Sequence, residues 1–151
     1  MILNNIEGYY SGRFSAYAAI QMAANYSGKA INISQTTAAH ALSYVLTSEK
    51  GIPHGIAVTY CIIPLWKYLL DYAPPEVLMT NLINVSKAFG CSNVESYAVF
   101  FNIVQKYGDF PKLKLNHETA VDYSKNINLQ RLQNFPIALT EKEIQEIYQA
   151  L

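Results

Sequence analysis

The fold of this chain is indicated most strongly by the segment His40-Ala-Leu-Ser-Tyr44-Val-Leu-Thr-Ser-Glu-Lys-Gly51-Ile-Pro53-His54-Gly55-Ile-Ala57. Apolar residues at helical spacing continue up to Gly51, where the helix is expected to end, and Pro53 suits the first turn of a new helix. The stretch therefore predicts a corner between two helices, with His40 on one helix and His54 at the start of the other. Neutral imidazole is the commonest metal ligand in proteins, so two rings that converge across such a corner could hold one divalent ion. Considered one at a time, however, histidines more often serve in a core or on a surface.

Helical periodicity extends outward from this corner in both directions. Helices are predicted from Arg13 to Ile31, about Gln35 to Thr47, Pro53 to about Tyr72, Glu76 to Phe89, Ser92 or Asn93 to Tyr107, and Asn116 to Tyr123, with a short helix or irregular turn from Asn126 to Asn134 and a last helix after the capping box Thr140-Glu-Lys-Glu143. The segment from Asp109 to Leu115 is predicted to be a loop, and no convincing strand alternation appears. We predict an all-α bundle of six to eight helices in a single domain, residues 1–151.

Composition narrows the classes of partner and compartment. Eleven basic residues balance eleven acidic ones without a basic run, which argues against nucleic acid as a partner. The apolar run from Gly55 to Leu70 is too short to span a bilayer, and the N-terminus lacks the pattern of a signal peptide, so no membrane association is expected. Cys61 lies in that apolar run and is predicted to be a small core residue rather than half of a disulfide. We expect a cytoplasmic protein.

Two segments of the chain resemble a known family. The first is Ala23-Ala-Asn-Tyr-Ser-Gly28-Lys-Ala-Ile-Asn-Ile-Ser-Gln-Thr36-Thr-Ala-Ala-His40-Ala-Leu-Ser-Tyr44, followed by Gly51-Ile-Pro-His54-Gly55, and the second is Asn128-Leu-Gln-Arg131-Leu-Gln-Asn134-Phe-Pro136, followed by Leu139-Thr140. Both are similar to the iron-containing (group III) alcohol dehydrogenases, and most of all to the branch that reduces phosphonoacetaldehyde and related small aldehydes. The resemblance covers about residues 15 to 151.

The resemblance implies the metal-binding half of a two-domain enzyme. In that family an N-terminal α/β domain binds the nicotinamide cofactor, and an all-helical C-terminal domain holds a divalent metal, Fe²⁺ or Zn²⁺, through one Asp and three His. His40 and His54 correspond to two of those histidines, and Tyr44 corresponds to a position that lines the substrate cavity, although it could equally serve packing. The Asp-x-x-x-His unit that supplies the other two ligands has no counterpart in this sequence, nor have the glycine-rich turns of a dinucleotide-binding domain. We therefore expect that the N-terminal domain is absent and that NAD(P) binds only if a separate domain supplies its site. No catalytic or cofactor-binding residue is assigned.

Two functional classes remain open. The chain could be the metal-binding part of a dehydrogenase for small aldehydes or alcohols, incomplete for catalysis without a complementing N-terminal domain. Alternatively, it could be a non-catalytic, degenerate helical module. A homo-oligomer is expected in either class, because a surface that once closed against another domain tends to be covered by self-association. Asn128, Arg131 and Asn134 are expected to hold the tail turn through side-chain to backbone hydrogen bonds.

Overall fold

A computed structural model of the chain describes residues 1–108, 110 and 113–151, apart from the side chains of residues 81, 93 and 94. The described residues form helices and no strand, which confirms the all-α class. Nine helices lie in the described ranges: α1 (Ile2–Tyr10), α2 (Phe14–Ile33), α3 (Ala38–Lys50), α4 (His54–Tyr72), α5 (Pro75–Phe89), α6 (Asn93–Tyr107), α7 (His117–Lys125), α8 (Leu129–Leu132) and α9 (Glu141–Gln149). The helix that the sequence did not predict is α1, because its asparagines and glycine are poor helix formers. The predicted loop at 109–115 falls partly on residues 109, 111 and 112, which lie outside the described residues.

The chain divides into two compact units, Met1–Gln35 and Thr36–Leu151. The single domain predicted over residues 1–151 therefore stays a prediction. None of the helices within the described ranges is long and apolar enough to cross a membrane.

The first unit consists of α1 and α2, which meet at Gly8. A Cβ atom at Gly8 would lie 3.0 Å from the Cβ of Ala16, a contact so tight that a neighbour would have to shift, which favours glycine here. The rings of Tyr9 and Tyr17 pack edge to face beside it, with centroids 4.9 Å apart. The broad apolar face that the sequence predicts for α2 is present, but the described chain leaves most of it in solvent. Its exposed large side chains are Phe14, Tyr17, Met22, Tyr26, Ile31 and Ile33.

The second unit is built around α4, as its apolar composition predicts. Ala57 and Cys61 of α4 are fully buried, which confirms Cys61 as a core residue. Helices α3 and α9 pack against α4, and α7 packs against α9. Members of this core shared among the four helices include Leu42, Leu46, Ala57, Cys61, Leu65, Ala120, Tyr123, Ile144, Ile147 and Tyr148. Trp66 extends the contacts of α4 toward α5 and α6, where its ring meets Phe89 and Tyr97 edge to face.

Polar contacts of Tyr148 and Tyr68 fix α9 in this core. The hydroxyl of Tyr148, which is fully buried, donates to the backbone carbonyl of Leu42 in α3 at 2.9 Å. At the start of α9 the predicted capping box is formed, since the Thr140 backbone N–H donates to the Glu143 carboxylate at 2.7 Å and the Glu143 backbone N–H donates to the Thr140 hydroxyl at 3.3 Å. Tyr68 of α4 also donates to the Glu143 carboxylate. These hydrogen bonds, that from Tyr68 first, lower the pKa of Glu143 below its ordinary value.

Candidate metal centre

The helical corner predicted from the sequence is present, and Gly51 makes it. Gly51 ends α3 in the left-handed conformation, with φ of +65°. The next residue, Ile52, is buried, so the chain turns back into the core directly after Gly51. Pro53 then precedes α4, whose first residue is His54. His40 lies in the first turn of α3, so the two histidines are carried by the N-terminal ends of two packed helices.

The corner brings the two imidazole rings together. The Nε2 atom of His54 lies 3.2 Å from the Nδ1 atom of His40, and the ring centroids are 5.1 Å apart. Two nitrogens bound to one tetrahedral Zn²⁺ at the usual bond length would lie about 3.3 Å apart. The observed spacing therefore suits two ligands of one ion, and without an ion it suits a hydrogen bond between one protonated and one unprotonated ring nitrogen.

Charge and burial around His40 favour the neutral ring. Partial burial, the neighbouring His54 and the guanidinium of Arg131 all lower the pKa of His40 below its ordinary value. Since a metal ion binds only the unprotonated ring nitrogen, this environment keeps His40 available as a ligand at neutral pH.

Tyr44 lies directly beside the histidine pair. Its ring stacks on that of His54, with an interplanar angle of 12° and centroids 5.8 Å apart. The structure thus places all three predicted site residues, His40, His54 and Tyr44, in one cluster, while their roles as metal ligands and substrate-lining residue stay predictions. Tyr44 is 37% exposed.

Arg131 is a member of this cluster that the sequence assigned to another role. Its side chain donates from Nη1 to the hydroxyl of Tyr44 and, at 3.1 Å, to the hydroxyl of Thr36, and its Cζ atom lies 5.1 Å from the centroid of the Tyr44 ring. Asn128 holds the tail turn as expected, because its Oδ1 accepts from the backbone N–H of Arg131 at 3.0 Å. The Asn134 side chain instead donates to the backbone carbonyl of Thr36, outside that turn, at 3.0 Å. One sequence feature could have singled out Arg131: no acidic residue lies within four positions of it to act as an ordinary helical ion-pair partner.

The donor set is nevertheless half of a usual metal site. Within the described part of the chain, no group of three or more His, Cys, Asp or Glu side chains is placed to hold a metal ion. Two imidazoles at a fitting distance supply two positions of a tetrahedral shell, and a closed protein shell needs two more ligands. The geometry of the pair fits a divalent metal, and the rest of its coordination shell must come from water or from residues other than these.

Comparison with known proteins gives one structural match and one partial sequence match. The chain matches the crystal structure of an iron-containing alcohol dehydrogenase with a TM-score of 0.73 and 26% identity, over 98% of this chain and 38% of that one. The chain is built like part of an iron-containing alcohol dehydrogenase. A segment of 54 residues, 36% of this chain, is 43% identical to the phosphonoacetaldehyde reductase of Streptomyces viridochromogenes and covers 14% of that protein. No family model matches the sequence. The chain thus spans well under half the length of both proteins, so the activity of a whole enzyme is a matter for proposal.

Proposed function

We propose that this chain supplies the two-histidine half of a divalent metal site in an NAD(P)-linked alcohol dehydrogenase or aldehyde reductase. The observation that carries the proposal is the 3.2 Å distance between His54 Nε2 and His40 Nδ1, at the N-terminal ends of α4 and α3. The similarity of nearly the whole chain to part of an iron-containing alcohol dehydrogenase supports it. The other metal ligands and the nicotinamide-binding domain are supplied by residues outside these 151.

The residues of this chain have distinct roles in the proposal. His40 and His54 bind the metal as neutral imidazoles, and Tyr44 lines the cavity for a small aldehyde or alcohol, held in place by Arg131. The chemistry that Fe²⁺ or Zn²⁺ supplies when bound is Lewis-acid stabilisation of negative charge on a carbonyl or alkoxide oxygen. Because NAD(P) carries the hydride, no nucleophile is required from this chain. A cytoplasmic location belongs to the same proposal, supported by the two free cysteines.

A metal titration with matched histidine variants tests the proposal. Zn²⁺, and Fe²⁺ under anaerobic conditions, are titrated into the purified untagged chain and followed by calorimetry and by the imidazole resonances in NMR. His40→Ala and His54→Ala should each weaken binding about tenfold or more, because each removes one of two converging ligands. His117→Ala is the control, since His117 is exposed on α7 and contacts Gln149 instead. If the His40→Ala/His54→Ala double variant binds the metals as tightly as the parent chain, the proposal is wrong.

A second function, that of a non-catalytic module that self-associates, is favoured by the exposed face of α2. Phe14 and Ile33 are 86% and 92% exposed, although residues of this size and polarity are usually buried. Under this proposal the chain forms a homo-oligomer in which those side chains are covered. Sedimentation velocity of the parent and of a Phe14→Ser/Ile33→Ser variant tests it. The variant should be monomeric where the parent is not, and a parent that stays monomeric at high concentration rules it out.

A further inference from the structure

The side-chain hydrogen bonds described for Arg131 come from only one of the three nitrogens of its guanidinium. Both hydrogen bonds to hydroxyls, those of Tyr44 and Thr36, come from Nη1. A guanidinium has five N–H groups, and the Nε and Nη2 pair forms the planar fork that binds a carboxylate or phosphate with two parallel hydrogen bonds. In the described part of the chain nothing accepts a hydrogen bond from that fork. The fork is therefore free to bind a ligand.

The two hydroxyls beside Arg131 can also donate hydrogen bonds to a ligand. Because the oxygens of Tyr44 and Thr36 accept from Arg131, each hydroxyl keeps its own hydrogen for another acceptor. Among the residues that the structure describes, none accepts from either hydroxyl. Tyr44 is exposed and Thr36 and Arg131 are half-buried, so a small molecule can reach all three.

No negative charge on the described residues balances this group. The described ion pairs join Lys67 to Asp71 and Lys142 to Glu146, and neither involves Arg131. The side chains that share the cluster, two imidazoles and a phenol, carry no negative charge at neutral pH. A set of N–H and O–H donors around an unpaired cation is the chemistry of an oxyanion site.

We infer that Arg131, Tyr44 and Thr36 form a subsite for a small oxyanion, carboxylate or phosphate-like, next to the His40–His54 pair. The inference rests on the proposed function in one respect. Under the proposed function, the anion is a group of the substrate, and the carbonyl or hydroxyl end of that substrate lies at the histidine pair. A free inorganic anion has the same chemistry and would bind in the same way. The anionic class of ligand follows from the donors alone.

Anion titrations without metal test the subsite directly. Inorganic phosphate and propionate are titrated into the purified chain, and the side-chain Nε–H resonance of Arg131 is followed by ¹⁵N NMR. Arg131→Gln should weaken binding about tenfold, since it removes a charge-assisted bidentate contact, and Arg131→Lys should recover part of it as a point charge. Tyr44→Phe should cause a smaller loss of a few-fold. Arg13→Gln, which alters the other arginine of the sequence, is the matched control and should bind as the parent does.

Two further arms identify the source of the anion and separate this inference from the proposed function. If the anion is a substrate group, 3-hydroxypropionate should bind more tightly than propionate when Zn²⁺ is present and equally without it. If propionate and 3-hydroxypropionate bind equally tightly both with and without Zn²⁺, the site is one for free anions. The phosphate titration is repeated on the His40→Ala/His54→Ala variant, which should still bind phosphate even if the metal proposal fails. Phosphate binding by Arg131→Gln that equals that of the parent, or an Arg131 Nε–H resonance that does not move, overturns the inference.

Discussion

The hydrogen bond from Tyr148 to Leu42 is a sensitive test of how α9 packs on α3. Tyr148→Phe removes one hydroxyl from a fully buried side chain and changes nothing else in its shape. The Leu42 carbonyl lies inside α3 and keeps its own helical hydrogen bond, so the loss is one net hydrogen bond and not an unsatisfied acceptor. The expected decrease in the free energy of unfolding is about 1 kcal/mol.

Urea unfolding followed by circular dichroism measures this effect. The midpoint should fall without a change in the slope of unfolding free energy against urea, and the melting temperature should fall by about 2–4 °C for a chain of this size. Tyr148→Ala should cost about 3–5 kcal/mol, because it also empties the space that the ring fills against Tyr123. Tyr72→Phe, at a side chain that is 68% exposed, is the control and should change stability by less than about 0.5 kcal/mol. A Tyr148→Phe variant as stable as Tyr72→Phe would refute the hydrogen bond from Tyr148 to the Leu42 carbonyl.

Three further outcomes are expected. The pKa of Glu143 is lowered in the folded chain, so its ionised form stabilises the fold above pH 4.5, and this contribution is lost as the pH falls through the lower folded value. Glu143→Gln should therefore flatten the pH dependence of the urea midpoint below pH 4.5, and an unchanged slope would contradict the prediction. Gly51→Ala should destabilise the chain by about 1 kcal/mol in thermal melts because φ is +65°, whereas Gly55→Ala, with open space around the new Cβ, should leave stability unchanged or slightly raised; equal effects would argue against the left-handed turn. Cys61 should resist alkylation in the folded chain, since burial raises its pKa, while the half-buried Cys91 reacts; mass spectrometry of the two peptides gives the answer, and equal labelling rates would be inconsistent with the core.

The fold follows from the sequence wherever one local pattern determines an element. Gly51 and Pro53 mark the corner because one favours a left-handed φ and the other suits the first turn of a helix. The Thr140 capping box begins α9 where the spacing of its side chains predicts. The pattern misses α1, since its asparagines and glycine do not favour helix, and the structure instead shows Gly8 packed closely against Ala16.

In the candidate site, too, contacts between residues close in the sequence could be predicted, and contacts between distant residues could not. His40 and His54 are only 14 positions apart, so one corner brings their rings together, and the sequence could predict that pairing. Arg131 reaches Tyr44 across 87 positions and Thr36 across 95, from a helix of four residues that periodicity cannot place. Contacts of this kind depend on how the whole second unit packs, and no local pattern encodes them.

The position of Arg131 links the two proposals through charge. A guanidinium close enough to lower the pKa of His40 also repels a divalent cation bound at the same ring. An anion bound on the free fork of Arg131 would cancel much of that repulsion, and by linkage a metal on the histidines would strengthen anion binding by the same factor. In a whole enzyme a ligating carboxylate would supply part of the missing negative charge. In this chain, which carries two imidazoles and one unpaired guanidinium at the corner, metal and anion are expected to bind cooperatively.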